Sequence, residues 1–381
     1  MSIGCARARM RGRQGQKALK EAVTGKPQDG SMEQKQMKIM YVDASVDGHH
    51  LTYLSYLLKN ASKDSLAVLP EYSDKAAGRV RKTTVRGIRG FHEYGSWMEE
   101  LRGIAAEEQP DIIHFLDGDS MMRHLGRGLA RFGDSRLIIT FHHFFEGKAR
   151  EISMKRMLHY AAAGVFHTEE IQMKVKKFGC KNAECVPYPC FLNVPAGSGR
   201  GYLNDPPRLL ALGGTRYDKG LDILLEALKR VRSPFSLVIA GKEEDFDERF
   251  VFEHTAAYND RVRTCLRFLG DEEVKRLLME ADIIVLPYRK IFDGASGPMC
   301  EGIYLGKTII GPSHGSLGRM LQESHAGYTF ESESTEGLAA CIEYALAHPC
   351  CYDETAKNAQ QALRPELFVQ KYAEIYEKAV K

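Results

Sequence analysis

The feature that most limits the fold is an alternation that stops once and then starts again. From Met37 onward, short apolar runs ("MKIMYVDAS", "LAVLPE", "DIIHFL", "RLIITFHHF", "AGVFHTE") are separated by stretches of helical periodicity: "HHLTYLSYLLKN", "GSWMEELRGIAAEEQP", "SMMRHLGRGLARFG" and "EIQMKVKKFGC". Apolar runs without a polar alternate face suit strands buried on both sides, and helices between them supply the crossovers of a parallel sheet. Residues 187–208, "PYPCFLNVPAGSGRGYLNDPPR", are dense in Pro and Gly and carry no period, so they read as a linker too irregular to hold its neighbours rigidly. The pattern then resumes with "LLALGG", a helix to Val231, "FSLVIAG", a helix near "RFVFEHTAAYNDRVR", "LRFLG", "DEEVKRLLMEA", "DIIVLPY", "GPMCEGIYLG" and "KTIIG", and closes on a helix, "PELFVQKYAEIYEKAVK". The expectation is α/β: two doubly wound parallel-sheet, Rossmann-like domains, residues 37–195 and 208–360, facing a cleft.

A chain of 381 residues fits two such cores. The net charge of +3 is unevenly placed, because residues 1–36 hold eight Lys or Arg against three Asp or Glu. The remainder is close to neutral, which argues against nucleic acid as a partner. Residues 1–36 are poor in large apolar side chains and read as a disordered basic tail, with a peripheral membrane contact left open. Met32 and Met37 offer alternative starts. The tail lacks the apolar segment of a secretory signal, and no apolar run is long enough to span a bilayer. Nine cysteines without a Cys-x-x-Cys pair read as thiols in a reducing cytoplasm; Cys180, Cys185 and Cys190 recur at regular intervals but lack a fourth ligand at a zinc spacing. The expected location is therefore cytoplasmic.

Two local patterns carry chemistry. In "LALGGTRYDKGLDILLEALKRV", a strand ends at Gly213 and Gly214, Arg216 and Lys219 follow, and a helix begins. A glycine turn that frees backbone N–H groups before a helix end, with two added cations, suits a diphosphate. In "DIIVLPYRKIFDGASGPMCEGIYLG", Asp293 and Glu301 stand eight residues apart across a glycine-bearing loop, Glu301 at the start of a helix. A carboxylate close to phosphates makes sense where it accepts hydrogen bonds from hydroxyl groups, as ribose and hexose offer. Phosphate at one strand end and polyol at another describe a nucleotide-sugar site.

With these residues in view, the chain from Met37 to its end resembles a family 4 glycosyltransferase of the GT-B fold. "GGTRYDKG" is similar to the basic turn of that family's second domain. "DGASGPMCEGIYLGKTII" is similar to its paired-glutamate motif, with Glu301 as the second Glu. "ITFHH" is similar to its Thr-x-His strand end, and "FLGDEEVKRLLMEADIIVLP", with Gly270, to its base-binding stretch. Two departures stand out: Asp293 replaces the usual first Glu and is one methylene shorter, and Gly214 stands where many members have Arg, with Arg216 displaced by two residues.

The resemblance implies a hexosyltransferase that uses a nucleotide-diphosphate sugar donor and a saccharide or lipid-linked acceptor, retaining and without a metal or other cofactor. Arg216 and Lys219 would neutralise the leaving diphosphate, Glu301 would hold the ribose, Asp293 would touch the donor sugar and His142 would lie near the reacting sugar. Gly213, Gly214, Gly270, Gly297, Pro298 and Met299 would line the donor. Gly48 would let the first loop approach the phosphates, and His49 or His50 would line the acceptor side. The helix at 364–381 would return to the first domain. Asp117 and Asp119 form an Asp-x-Asp pattern of the kind that holds a metal in the GT-A fold, but that reading leaves the second wound domain unexplained. Two alternatives stay open: a nucleotide-sugar-binding protein without turnover, and a sugar-nucleotide epimerase of the same fold.

Overall fold

A computed structural model describes residues 37–381 except 47–49, 73–75, 77, 87, 145 and 200. The basic tail, Gly48 and His49 lie outside the described residues. The first sheet has seven parallel strands: β1 Ile39–Val42, β2 Leu66–Leu69, β3 Arg79–Lys82, β4 Ile112–Phe115, β5 Arg136–Phe141, β6 Ala163–Phe166 and β7 Ala183–Cys185, in the order β3-β2-β1-β4-β5-β6-β7. The second has six: β8 Arg208–Leu212, β9 Ser236–Gly241, β10 Val262–Leu266, β11 Ile283–Val285, β12 Thr308–Pro312 and β13 Gly327–Phe330, in the order β10-β9-β8-β11-β12-β13. Strands such as "IMYV", "LAVL" and "IIHF" are buried at every position, as a sheet covered on both faces demands. In each sheet the order reverses once, at β1/β4 and at β8/β11, and ligands of such sheets bind at the carboxyl ends beside that reversal.

The first sheet is covered by α1 His50–Lys59, α2 Phe91–Glu108, the single turn α3 Gly118–Met121, α4 Lys148–Tyr160 and α5 Glu169–Lys177. The second carries α6 Leu221–Leu228, α7 Glu248–Thr255, α8 Asp271–Glu280, α9 Gly297–Tyr304, α10 Gly315–Ser324, α11 Thr335–Ala347 and α12 Glu354–Ala362, with α13 Pro365–Val380 after them. Side-chain caps mark several starts, including Thr168 at α5, Asp247 at α7, Ser334 at α11 and Asp353 at α12.

Some expectations need correction. "SMMRHLGRGLARFG" is no continuous helix: after α3 it breaks into two 3-10 turns, with Gly126 and Gly128 at positive φ. The strand expected at "LRFLG" lies earlier, over Val262–Leu266. The described linker residues between 187 and 207 have no regular structure, β8 beginning at Arg208, yet they are fastened. Buried Asp282 accepts the Leu203 N–H, the Arg208 N–H and the Asn204 amide, Gly197 N–H donates to the Tyr304 carbonyl at 2.9 Å, and Cys190 N–H donates to that of Leu363 at 2.8 Å. Irregular backbone is held here by named partners rather than by a period.

α13 packs against the first sheet and α1. Its Phe368, Tyr372, Ile375 and Tyr376 are buried, whereas Leu367, read from the sequence as part of the same face, is exposed. A buried polar chain secures it: Tyr376 Oη and His114 Nδ1 at 2.8 Å, His114 Nε2 and Thr140 Oγ1 at 2.8 Å, Thr140 Oγ1 and Tyr372 Oη at 2.8 Å, then Tyr372 to Tyr53 of α1.

Candidate active site

The carboxyl ends of both sheets meet at one seam. On the second sheet, β8 runs into Gly213, whose φ of 132° no other residue adopts readily; its N–H donates to the Ala240 carbonyl. The turn that follows is held by the loop after β9. Thr215 donates its N–H to the Lys242 carbonyl and its hydroxyl to that of Phe246, and Tyr217 N–H donates to Asp245 Oδ2. The row of open N–H groups expected from the sequence is therefore partly spent: between Gly213 and Tyr217, only Gly214 and Arg216 donate none to the described residues. Gly214 faces Glu244, whose carboxylate would meet any added Cβ at 2.0 Å.

The two cations of the turn differ. Arg216 is engaged in a two-pronged pair with Asp218, at 2.9 and 2.8 Å. Lys219 has its ammonium 3.9 Å from the ring centre of Tyr288 and 3.8 Å from that of Phe292. Burial, followed by the nearby Arg216 charge, lowers its pKa to about 7. An anion arriving here would restore the full charge of Lys219.

Glu301, expected at the start of a helix, lies midway along α9, 5% exposed, and its Oε2 has no hydrogen-bond partner among the described residues. Burial, helped by Asp271 at the start of α8, raises its pKa to about 7. An unpartnered buried carboxylate is costly unless something supplies donors. Gly297, Pro298 and Met299 form the first turn of α9, and Gly270 caps α8, whose first residue is that same Asp271. The second-sheet residues singled out from the sequence thus gather around β8, β11 and the starts of α8 and α9.

The first-sheet edge is assembled from the ends of β1, β4 and β5. Asp43 holds His50 Nδ1 at 3.0–3.1 Å. Burial opposes a charge on His50, but Asp43, Asp117 and Asp119 outweigh it and raise its pKa to about 9. His142 lies between His50 and His167, with ring centres 5.8 and 5.0 Å away. Its Nε2 is 2.8 Å from the Leu116 carbonyl, which can only accept, so Nε2 carries the hydrogen and Nδ1 is left as an acceptor. Burial keeps that ring neutral. Asp119 Oδ2 accepts the N–H groups of His142 and His143, both at 3.0 Å, and Asp117 caps α3 through Ser120 N–H. Among the described residues, no group of three His, Cys, Asp or Glu is disposed to hold a metal ion.

Asp293, expected to touch the donor sugar, is engaged across the seam and with α10. Its Oδ2 accepts from Lys174 Nζ of α5 at 2.8 Å and its Oδ1 from Ser316 Oγ at 2.7 Å, so both oxygens already have donors within the protein. Sequence reasoning missed Asp43, Lys174, Asp218, Glu244 and Ser316; Lys174 acts on Asp293 of the opposite sheet, and Glu244 and Ser316 act from separate loops of the second sheet. Asp218, two residues from Arg216, and Asp43, seven from His50, are local to their partners.

Residues 206–348 match the family model described as Glycosyl transferases group 1. A sucrose-phosphate synthase from Thermosynechococcus elongatus superposes with a TM-score of 0.72 at 16% identity, over 89% of this chain and 98% of that one. HepE from Anabaena, solved in complex with UDP, superposes with a TM-score of 0.68 at 13% identity, over 89% and 99%. This is the GT-B fold. In sequence, the GT-B chain is 27% identical over 126 residues to a GDP-mannose:glycolipid 4-beta-D-mannosyltransferase of Xanthomonas campestris pv. campestris, covering 33% of this chain and 36% of that protein. It is 24% identical over 275 residues to a glycogen synthase of Mycobacterium tuberculosis, covering 67% and 64%. The chain thus spans about a third of the length of the mannosyltransferase it matches. No helix among the described residues is long and apolar enough to cross a membrane.

Proposed function

We propose that this GT-B chain is a hexosyltransferase that takes a sugar from a nucleotide-diphosphate donor and passes it to a saccharide or lipid-linked acceptor, with retention and without a metal ion. The observation that carries the reading is the coincidence, inside the matched segment, of an under-charged Lys219 and an unpartnered buried Glu301 at one sheet edge. Each lacks what a nucleotide sugar would bring: an anion for the first and hydroxyl donors for the second.

In this mechanism Glu301 accepts hydrogen bonds from the ribose. The diphosphate lies against Lys219 and the first turn of α9, whose N–H groups and positive helix end face it. Arg216 reaches the same charge once it leaves Asp218. As the glycosidic bond breaks, negative charge grows on the diphosphate, and cations already in place stabilise it without reorganisation. His142 Nδ1 accepts from a sugar hydroxyl across the seam. The test is transfer from a panel of radiolabelled nucleotide sugars, with chelator present and absent, and with product anomers assigned by NMR. UDP and GDP sugars come first, because UDP is bound in the Anabaena neighbour and GDP-mannose appears in the name of the Xanthomonas relative. Binding without hydrolysis or transfer would favour a nucleotide-sugar sensor, and a changed sugar without an acceptor would favour an epimerase. Loss of activity to chelator, restored by Mn²⁺, would bring Asp117 and Asp119 to the centre.

A further inference from the structure

Several polar contacts between the two halves centre on one loop. Phe144 N–H donates to the Asp293 carbonyl at 3.0 Å, and His143 forms a lone antiparallel bridge with Gly294. A Cβ on Gly294 would come within 2.8 Å of the His142 carbonyl, so only glycine allows this approach. Lys174 Nζ reaches across to Asp293 and also meets Glu170 at 3.1 Å, while Thr168 Oγ1 donates to Ser316 Oγ at 3.1 Å. The residue before Asp293 is Phe292, whose ring carries the Lys219 ammonium.

We propose that Lys174 is a positioning residue: its ion pair with Asp293 latches the two halves together and, through Phe292, places Lys219 at the diphosphate. Asp293 then acts chiefly as the receiving side of the latch, in place of the donor-sugar contact expected from the family resemblance. The geometry favours this, because both carboxylate oxygens are already taken and the shortened side chain reaches the first half at hydrogen-bond distance. Arg and Lys ends that hold an ion pair at a seam matter for orientation, and a misplacement of about 1 Å at a reacting centre can cost about a hundredfold. The kinetic arm of the proposal rests on the glycosyltransferase reading; the structural arm does not.

The experiment measures both. Spin labels on exposed Tyr160 and Met279, replaced by cysteine in a background with Cys5, Cys185, Cys265, Cys341, Cys350 and Cys351 changed to serine, report the separation of the halves by pulsed electron resonance. Steady-state transfer gives kcat and donor KM. Lys174→Met is expected to broaden and lengthen the distance distribution and to lower kcat by about ten- to a hundredfold, with donor KM changed by less than about threefold. Lys174→Arg restores both, and Asp293→Asn added to Lys174→Met costs little more, as two sides of one contact should. An unchanged distance in Lys174→Met overturns the latch, whatever the kinetics show. A normal kcat in Lys174→Met beside a crippled Asp293→Asn would place Asp293 on the donor and overturn the positioning role. If the wild-type chain transfers no sugar from any donor, the proposed function fails while the distance comparison still decides the latch.

Discussion

The two sheet edges that face each other are built on opposite terms. On the first, most charges have an answer within the protein: Asp43 meets His50, Asp119 Oδ2 takes two backbone N–H groups while its Oδ1 has no partner among the described residues, and His142 is tied to the Leu116 carbonyl. On the second, Lys219 rests on aromatic rings and Glu301 Oε2 has no partner among the described residues. An edge whose charges are mostly met gains less from a ligand. An unsatisfied edge carries a folding cost that a ligand removes, so the second edge is where binding free energy should concentrate.

Lys219→Ala breaks this contrast hardest. We expect turnover to fall by about 10²–10³-fold with the fold intact, measured by transfer rate and circular dichroism. A subtler reading comes from pH. Lys219 in the empty site loses its proton near pH 7, and a bound diphosphate would hold that proton in place. Nucleoside diphosphate affinity should therefore weaken as pH rises through about 7 in wild type. In Lys219→Arg, whose charge persists, calorimetry should show no such decline.

Glu301→Gln sharpens the contrast next, because binding and stability should move in opposite directions. Loss of a charged acceptor for ribose should raise donor KM by about tenfold. The folded pKa of Glu301 is raised above its ordinary 4.5 to about 7, so its contribution to stability is full below 4.5 and is lost as pH rises through 7. Above pH 7 the Gln variant should melt higher than wild type, and near pH 4.5 the difference should vanish. Thermal melts at the two pH values check the sign.

How much of this was legible beforehand depends on distance along the chain. Gly213 to Lys219 and Asp293 to Glu301 each lie within one turn and one helix start, so their residues declare themselves as local patterns. The first edge draws Asp43, His50, Asp119 and His142 from three strand ends, and Lys174 meets Asp293 across 119 residues, which no local pattern encodes. The missed elements have similar reasons. β3, "RVRK", lacks an apolar signal because it is an edge strand whose Arg79 and Arg81 pair with Glu108 and Glu107. α4, "KAREISMKRMLHY", is dominated by charged residues, and only Ser153, Met154, Met157 and Leu158 turn inward.

Asp218→Asn probes a place on the second edge that is already satisfied. Releasing Arg216 from its two-pronged pair should leave the guanidinium available to the diphosphate and tighten nucleotide binding by several-fold. Competitive titration with a fluorescent nucleotide would detect it, and an unchanged affinity would mean that Arg216 does not reach the phosphates.

The smallest effect belongs to the satisfied side, at the strap formed by α13. Burial, with His142 and His167 adding to it, lowers the pKa of His114 to about 3, so the ring is neutral. A neutral imidazole donates on one side and accepts on the other, so Tyr376, His114, Thr140 and Tyr372 must be oriented in a single sense. Tyr41 extends this chain beyond Tyr376 and forms its end, so removing the Tyr41 hydroxyl in Tyr41→Phe should cost about 1 kcal/mol. Tyr372→Phe cuts it in the middle and takes bonding partners from both Thr140 and Tyr53, so it should cost more, about 2 kcal/mol. Denaturant titration of the two variants at pH 7 ranks them. Equal costs would mean that the hydroxyls act as separate pairs rather than as one oriented chain, and that α13 is held by its buried rings alone.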